Sequence, residues 1–251
     1  MSQSQKRASR ILQQMIWPLV PLPMGMKRAM WHRLFFNKNR FAYKNAPDVF
    51  SKIYSDNFWL SNESRSGGGS LISATKTIRE KLPAIWERYG IKTFLDAPCG
   101  DYNWMKEVEK KNLVYIGGDI VGEMIEQNNK KYAGSNVSFK IIDITKDDLP
   151  TVDMIFCKDC LQHLSYEKIF KALKNFKKSK SRYLMTTSYS KTWNNWDILD
   201  GDCRPLNLLK PPFSLPQPLM KIREKSRGGG WGVDNDKDMY LYELDKIGDF
   251  Y

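Results

Sequence analysis

From Lys92 onward, short apolar runs rich in β-branched and aromatic residues alternate with segments whose apolar residues recur at helical spacing. The runs predict strands over residues 93–96, 113–119, 137–142, 152–157 and 182–187. The periodic segments predict helices over 104–110, 122–132 and 166–176. Such alternation with short connections implies five parallel strands with helices on both faces of the sheet. The pattern changes near the C-terminal end. Residues 219–223 and 239–244 read as strands with only the turn-rich SRGGGWG between them, which predicts an antiparallel pair closing the sheet. Ahead of the alternation, residues 48–90 read as helical with one break, SRSGGGS at 64–70, and the helix after it runs from Ile72 to about Arg88. Three consecutive glycines beside Arg65 would offer free backbone N–H groups to an anion or carboxylate. A plain linker is the simpler alternative.

Charge alters this picture at one end only. The chain of 251 residues has a net charge of +12, yet residues 1–47 hold nine Lys or Arg and no acid. The remainder carries 31 bases against 28 acids. Basicity therefore belongs to an N-terminal extension, 1–47, ahead of a domain spanning 48–251, and nucleic acid is disfavoured as a partner of that domain. The extension interleaves its bases with Trp17, Trp31, Phe35 and Phe36, and prolines at 18, 21 and 23 exclude one continuous helix. It either lies on an anionic membrane surface or packs on the domain. No apolar run reaches the length of a membrane span, and four cysteines with no secretory signal imply a cytoplasmic, reducing setting. The pair Cys157 and Cys160 has a metal-like spacing but no partner pair, so no metal is expected.

Candidate chemistry gathers where the predicted strands end. The first strand ends at Asp96 and runs into Ala97-Pro98-Cys99-Gly100-Asp101; the second ends at Asp119; the third runs into Asp143-Ile144; the fourth opens into Lys158-Asp159. In an open parallel sheet a ligand sits beyond these ends. A lone Asp after a strand is more often a helix cap, but four in succession form a constellation. With the SGGGS-type loop, LDAPCGDYNWM, CKDCLQHLS and GDCRPLNLLKPPFSLPQP, the span from about residue 64 to 251 resembles the class I S-adenosylmethionine-dependent methyltransferases, with their Rossmann-like sheet. More narrowly, it resembles those associated with bacterial and viral surface-polysaccharide synthesis. The resemblance implies S-adenosylmethionine as cofactor. Asp96, Pro98, Cys99, Gly100 and Asp101 would line its methionine part, with Lys158 beside them, Asp119 would hold the ribose, and Asp143 with Ile144 the adenine. The single glycine of the loop counts against a dinucleotide, whose pyrophosphate needs closer backbone approach.

The acceptor is read from the segments beyond the fourth strand. An Asn/Asp-Pro-Pro-aromatic tetrapeptide, common in amino-group methyltransferases of nucleic acids, is replaced there by CKDC, which points to an oxygen acceptor. Its proton needs a base, and Asp159 and His163 are the candidates. Arg65, Trp104, Tyr189, Trp193, Arg204 and Asn207 would bind the acceptor, since indole faces, amides and a guanidinium suit a glycan or its phosphate. The expected activity is O-methylation of a sugar or phosphorylated group of a surface glycan precursor or similar small molecule. An RNA methyltransferase and a non-catalytic binding subunit of the same fold are the alternatives.

Overall fold

The structure is a computed structural model that describes residues 45–59, 61–224 and 236–249. Most of the basic extension, and the glycine-rich turn at 226–232, lie outside the described residues. Seven strands form one sheet: β1 (Thr93–Asp96), β2 (Val114–Asp119), β3 (Val137–Ile141), β4 (Met154–Cys157), β5 (Tyr183–Tyr189), β6 (Met220–Arg223) and β7 (Lys237–Glu243). Their order is β3-β2-β1-β4-β5-β7-β6. The first five are parallel, with Leu95 level with Ile116 on one side and Ile155 on the other. β7 runs antiparallel to both β5 and β6, which closes the sheet as the C-terminal pattern implies.

Strand alternation sorts the core into two layers. Phe94, Tyr115, Met154, Phe156, Met185 and Leu241 pack with Ile78, Leu82 and Ile85 of α2 (Lys76–Tyr89) and Ile125 of α3 (Gly122–Tyr132). Leu95, Ile155, Cys157, Leu184 and Tyr240 face the other way, onto Ile169, Leu173 and Phe176 of α4 (Tyr166–Lys178). Ahead of α2 stands α1 (Ala46–Ser55), whose N-terminus is capped by Asn45 Oδ1 accepting from Asp48 N at 3.0 Å.

Two helix expectations are corrected. Residues 104–110 form only a short 3₁₀ turn, Met105–Glu107. Lys110 Nζ donates to the carbonyls of Met105 (2.5 Å) and Val108 (2.9 Å), so a side chain satisfies groups that a longer helix would have used. Between α1 and α2 the break is wider than the glycine run: turns and a 3₁₀ piece occupy most of 56–75, and α2 starts at Lys76, four residues late.

Candidate active site

β1 pairs with β2 on one side and β4 on the other, so the chain reverses its winding direction there and leaves a crevice at the carboxyl ends. A cavity enclosing about 1130 Å³, mouth included, opens at this point. Asp96, Pro98, Cys99, Gly100, Asp119, Asp143, Ile144, Lys158, Asp159 and His163 line it, together with Arg65 and Trp104.

Asp119 joins two walls. Its Oδ2 accepts from Gly100 N (3.1 Å) and its Oδ1 from Val121 N (3.1 Å). It is thus both a turn cap and a cavity carboxylate, with lone pairs to spare. Burial pushes its pKa up to about 6, against the backbone N–H groups of Val121, Gly100 and Ile120. Asp96 is raised further. Burial pushes it up to about 7, although the Tyr115 hydroxyl donates to it at 2.6 Å. Asp143 accepts from Thr145 N (2.9 Å) and Thr145 Oγ1 (2.6 Å), which fixes the turn after β3.

The loop after β1 needs its one glycine. Gly100 has φ 57°, and a Cβ there would stand 2.3 Å from Ser66 Oγ. Ser66 belongs to the 64–70 segment, which does receive a carboxylate, though the chain's own. Asp101 accepts from Arg65 N (2.7 Å) and Ser64 Oγ (3.0 Å), and its own N–H donates to Ser66 Oγ (3.0 Å). Asp101 is therefore not among the cavity-lining residues, contrary to expectation; it tethers one loop to the other.

Asp159 sits in a buried set of four charges. Its Oδ2 lies 2.5 Å from both Lys158 Nζ and Lys237 Nζ, and Glu224 stands 3.5 Å and 3.2 Å from the same two ammonium groups. Gln162 Nε2 donates to Oδ1 at 3.2 Å. Burial opposes the charge on Asp159, yet the two lysines hold its pKa well below the usual carboxylate range. A carboxylate so occupied has little capacity to take a proton, which corrects its expected role as base. Lys158 Nζ also donates to Gly69 O (2.9 Å), and a Cβ on Gly69 would meet Asp159 Oδ2 at 2.5 Å. The glycine run thus lets the 64–70 loop lie directly on this quartet.

His163 is different. Its Nδ1 is 2.9 Å from the carbonyl oxygen of Asp202, and its ring centroid is 5.0 Å from that of Trp59. Burial pushes its pKa down to about 4, so it is neutral at physiological pH. A carbonyl only accepts, so Nδ1 carries the proton and Nε2 remains an acceptor.

Four of the expected acceptor residues lie elsewhere. Trp193 is 84% exposed and outside the cavity. Tyr189 is buried, with its hydroxyl accepting from Gln162 Nε2 at 3.4 Å. Asn207 donates to Thr192 O at 2.9 Å. Arg204 is 0% exposed and donates to Leu164 O at 2.7 Å, so it is committed to the fold. Phe50, Tyr54 and Trp59 instead line the cavity together with Arg65. Residue type gave no signal for these three, nor for Glu224 and Lys237, which the fold brings in from the far end of the chain.

These walls fit S-adenosylmethionine. Asp119 has capacity for a ribose diol; Ile120, Val121, Met124, Ile142 and Ile144 offer apolar faces to a flat base. The buried Asp96 carboxyl complements a ligand that is itself cationic.

Comparison with known proteins agrees with this geometry. Residues 94–179 match the family model described as a methyltransferase domain. Human N-acetylserotonin methyltransferase in complex with S-adenosylmethionine has 11% identity and a TM-score of 0.57, over 87% of this chain and 67% of that one. The N-methyltransferase NodS from Bradyrhizobium japonicum WM9 in complex with S-adenosylhomocysteine has 13% identity and a TM-score of 0.55, over 79% and 97%. The [4+2]-cyclase SpnF has 12% identity and a TM-score of 0.54, over 78% and 95%. No curated protein sequence matches. At these identities the neighbours establish the fold alone, that of the class I methyltransferases, and the family match covers residues 94–179 as similar to a methyltransferase domain.

Proposed function

We propose that the protein methylates a hydroxyl oxygen on a sugar or phosphorylated group of a surface glycan precursor, with His163 as the general base. The observation that carries this reading is the state of His163. A neutral imidazole stands on the wall of the cavity that holds Asp96 and Asp119, with its Nδ1 committed to a carbonyl. S-adenosylmethionine, when bound, supplies an electrophilic methyl carbon. The methyl–sulfur bond would break as the oxygen–methyl bond forms, leaving S-adenosylhomocysteine, while Nε2 of His163 would take the hydroxyl proton and later release it to water. Burial keeps Nε2 unprotonated at working pH, while lowering its basicity below that of an ordinary imidazole.

The aromatic lining supports an acceptor of this class. Phe50, Tyr54 and Trp59 offer flat faces for a sugar ring, and the exposed guanidinium of Arg65 suits a phosphate or carboxylate. CKDC in place of an Asn/Asp-Pro-Pro-aromatic segment after β4 supports oxygen over nitrogen. The glycan assignment rests on the sequence resemblance, since the structural neighbours include an enzyme named as an N-methyltransferase and another named as a cyclase. Mass spectrometry of surface glycans from cells with and without the gene tests the reading. Each modified residue should lose one CH₂ when the gene is removed. An unchanged glycan, with labelled methyl groups appearing in RNA instead, would move the protein to the alternative class.

A further inference from the structure

The backbone of the turn that carries His163 is bonded at several points to one stretch of chain, 197–204. Gly201 N donates to His163 O (2.8 Å) and Arg204 N to Gln162 O (3.1 Å). Asp200 Oδ1 accepts from Ser165 N (2.9 Å), and Asp197 Oδ1 from Tyr166 N (2.7 Å). These two carboxylates cap α4, whose own N-cap residue, Ser165, makes no side-chain cap. The Arg204 guanidinium then reaches under the turn: Nη1 donates to Leu164 O (2.7 Å) and lies 3.5 Å from Gln162 O, and its carbon sits 5.2 Å from the Tyr166 ring centroid.

We infer that residues 197–204 form a strap that positions His163, with Arg204 as its chief positioning residue, so that Nε2 and not Nδ1 faces the acceptor. The catalytic consequence rests on His163 being the base; the structural one does not. Two observations argue for a positioning role over plain packing. Arg204 is fully buried, and its Nε and Nη2 have no hydrogen-bond partner among the described residues. An apolar side chain of that volume would fill the same space without a desolvated cation, so Arg204 is costly as mere filler. What an apolar residue would not supply is a planar donor placed beneath the Gln162 and Leu164 carbonyls of the turn. Second, the strap itself provides the Asp202 carbonyl that selects the Nδ1–H tautomer. The charges facing the imidazole are Asp159 and Lys237 from the quartet and Arg204 from the strap, with the Trp59 ring against it.

The chain has only two histidines, so nitrogen-15 NMR of the His32→Gln protein reports on His163 alone. In the full-length protein with S-adenosylhomocysteine, the spectrum should show neutral His163 protonated at Nδ1. Arg204→Met removes the guanidinium at similar volume. Gly201→Ala perturbs the strap without touching a charge, because Gly201 has φ 89°, where a side chain is strained. Both variants should give mixed tautomers, lower kcat about tenfold or more on glycan extracted from cells lacking the gene, and leave cofactor KM nearly unchanged. Arg204→Lys, which keeps the charge but not the planar fork, should recover only part of the loss. An Nε2–H tautomer in the unaltered strap overturns the inference, and so do folded Arg204→Met and Gly201→Ala proteins with unchanged His163 signals. If a variant fails to fold, the spectrum of the His32→Gln protein still decides. Scrambled tautomers with full turnover would keep the strap and remove His163 as base.

Discussion

A histidine that titrates near pH 4 and an aspartate pinned between two lysines respond differently to substitution, and that difference separates their roles. His163→Ala should lower kcat by about a hundredfold while S-adenosylhomocysteine affinity, measured by calorimetry, stays near normal. The rate should be flat at neutral pH and fall as pH drops through about 4, where Nε2 becomes protonated. Stability follows the same direction. An unfolded histidine takes up its proton near pH 6.5 and the folded one near 4, so this group withdraws stability as pH falls between those values and contributes nothing above them. At the other wall, Asp119→Ala should weaken S-adenosylhomocysteine about tenfold or more, a loss of ~1.4 kcal/mol. Unchanged affinity there would remove the carboxylate from the cofactor site. Residue identity in the sequence made the strand-end acids legible because they fall at regular βα positions. It gave no access to their partners: nothing about Lys158-Asp159 as letters says that Lys237 and Glu224 would neutralise them.

Among the elements, strands were read within a residue or two because burial on both faces of the sheet makes each a short apolar run. α3 and β1 have the bounds expected of them, and α4 extends two residues further. The misses have a common cause. At 104–110 the Lys110 side chain satisfies backbone carbonyls, around the glycine loop Asn103 and Lys158 do so, and a hydrophobic period carries no record of either. Arg204 failed as an acceptor residue for a similar reason, since the 197–204 strap turns it inward beneath the turn ahead of α4, and Asn207 is held by Thr192 O. The quartet behaves as an element in its own right. Asp159→Asn leaves two buried ammonium groups facing a single carboxylate, so thermal unfolding should show a loss of about 3 kcal/mol or more. Wild-type stability with reduced turnover would instead restore Asp159 to the chemistry.

For the whole molecule, the excess of basic charge lies in residues 1–47, and the seven strands all lie beyond residue 92. No helix among the described residues is long and apolar enough to cross a membrane. If the extension docks on an anionic surface, deleting residues 1–40 should abolish sedimentation with vesicles of anionic lipid and leave cofactor affinity intact. A truncated protein that no longer folds would show that the extension completes the core. Four buried charges tie the middle of the domain to its C-terminal strand pair: Lys158 and Asp159 come directly after β4, Glu224 directly follows β6 and Lys237 begins β7. Drift at these sites is therefore not independent. A lineage that loses one acid keeps an unpaired ammonium in the interior until a lysine is lost as well, so substitutions should be fixed in compensating pairs of opposite sign. Gly69 belongs to the same group, because only after Asp159 has shrunk or moved is there room for a side chain above it. Among natural relatives, a residue larger than glycine at 69 should coincide with an altered 159, two positions ninety residues apart evolving as one.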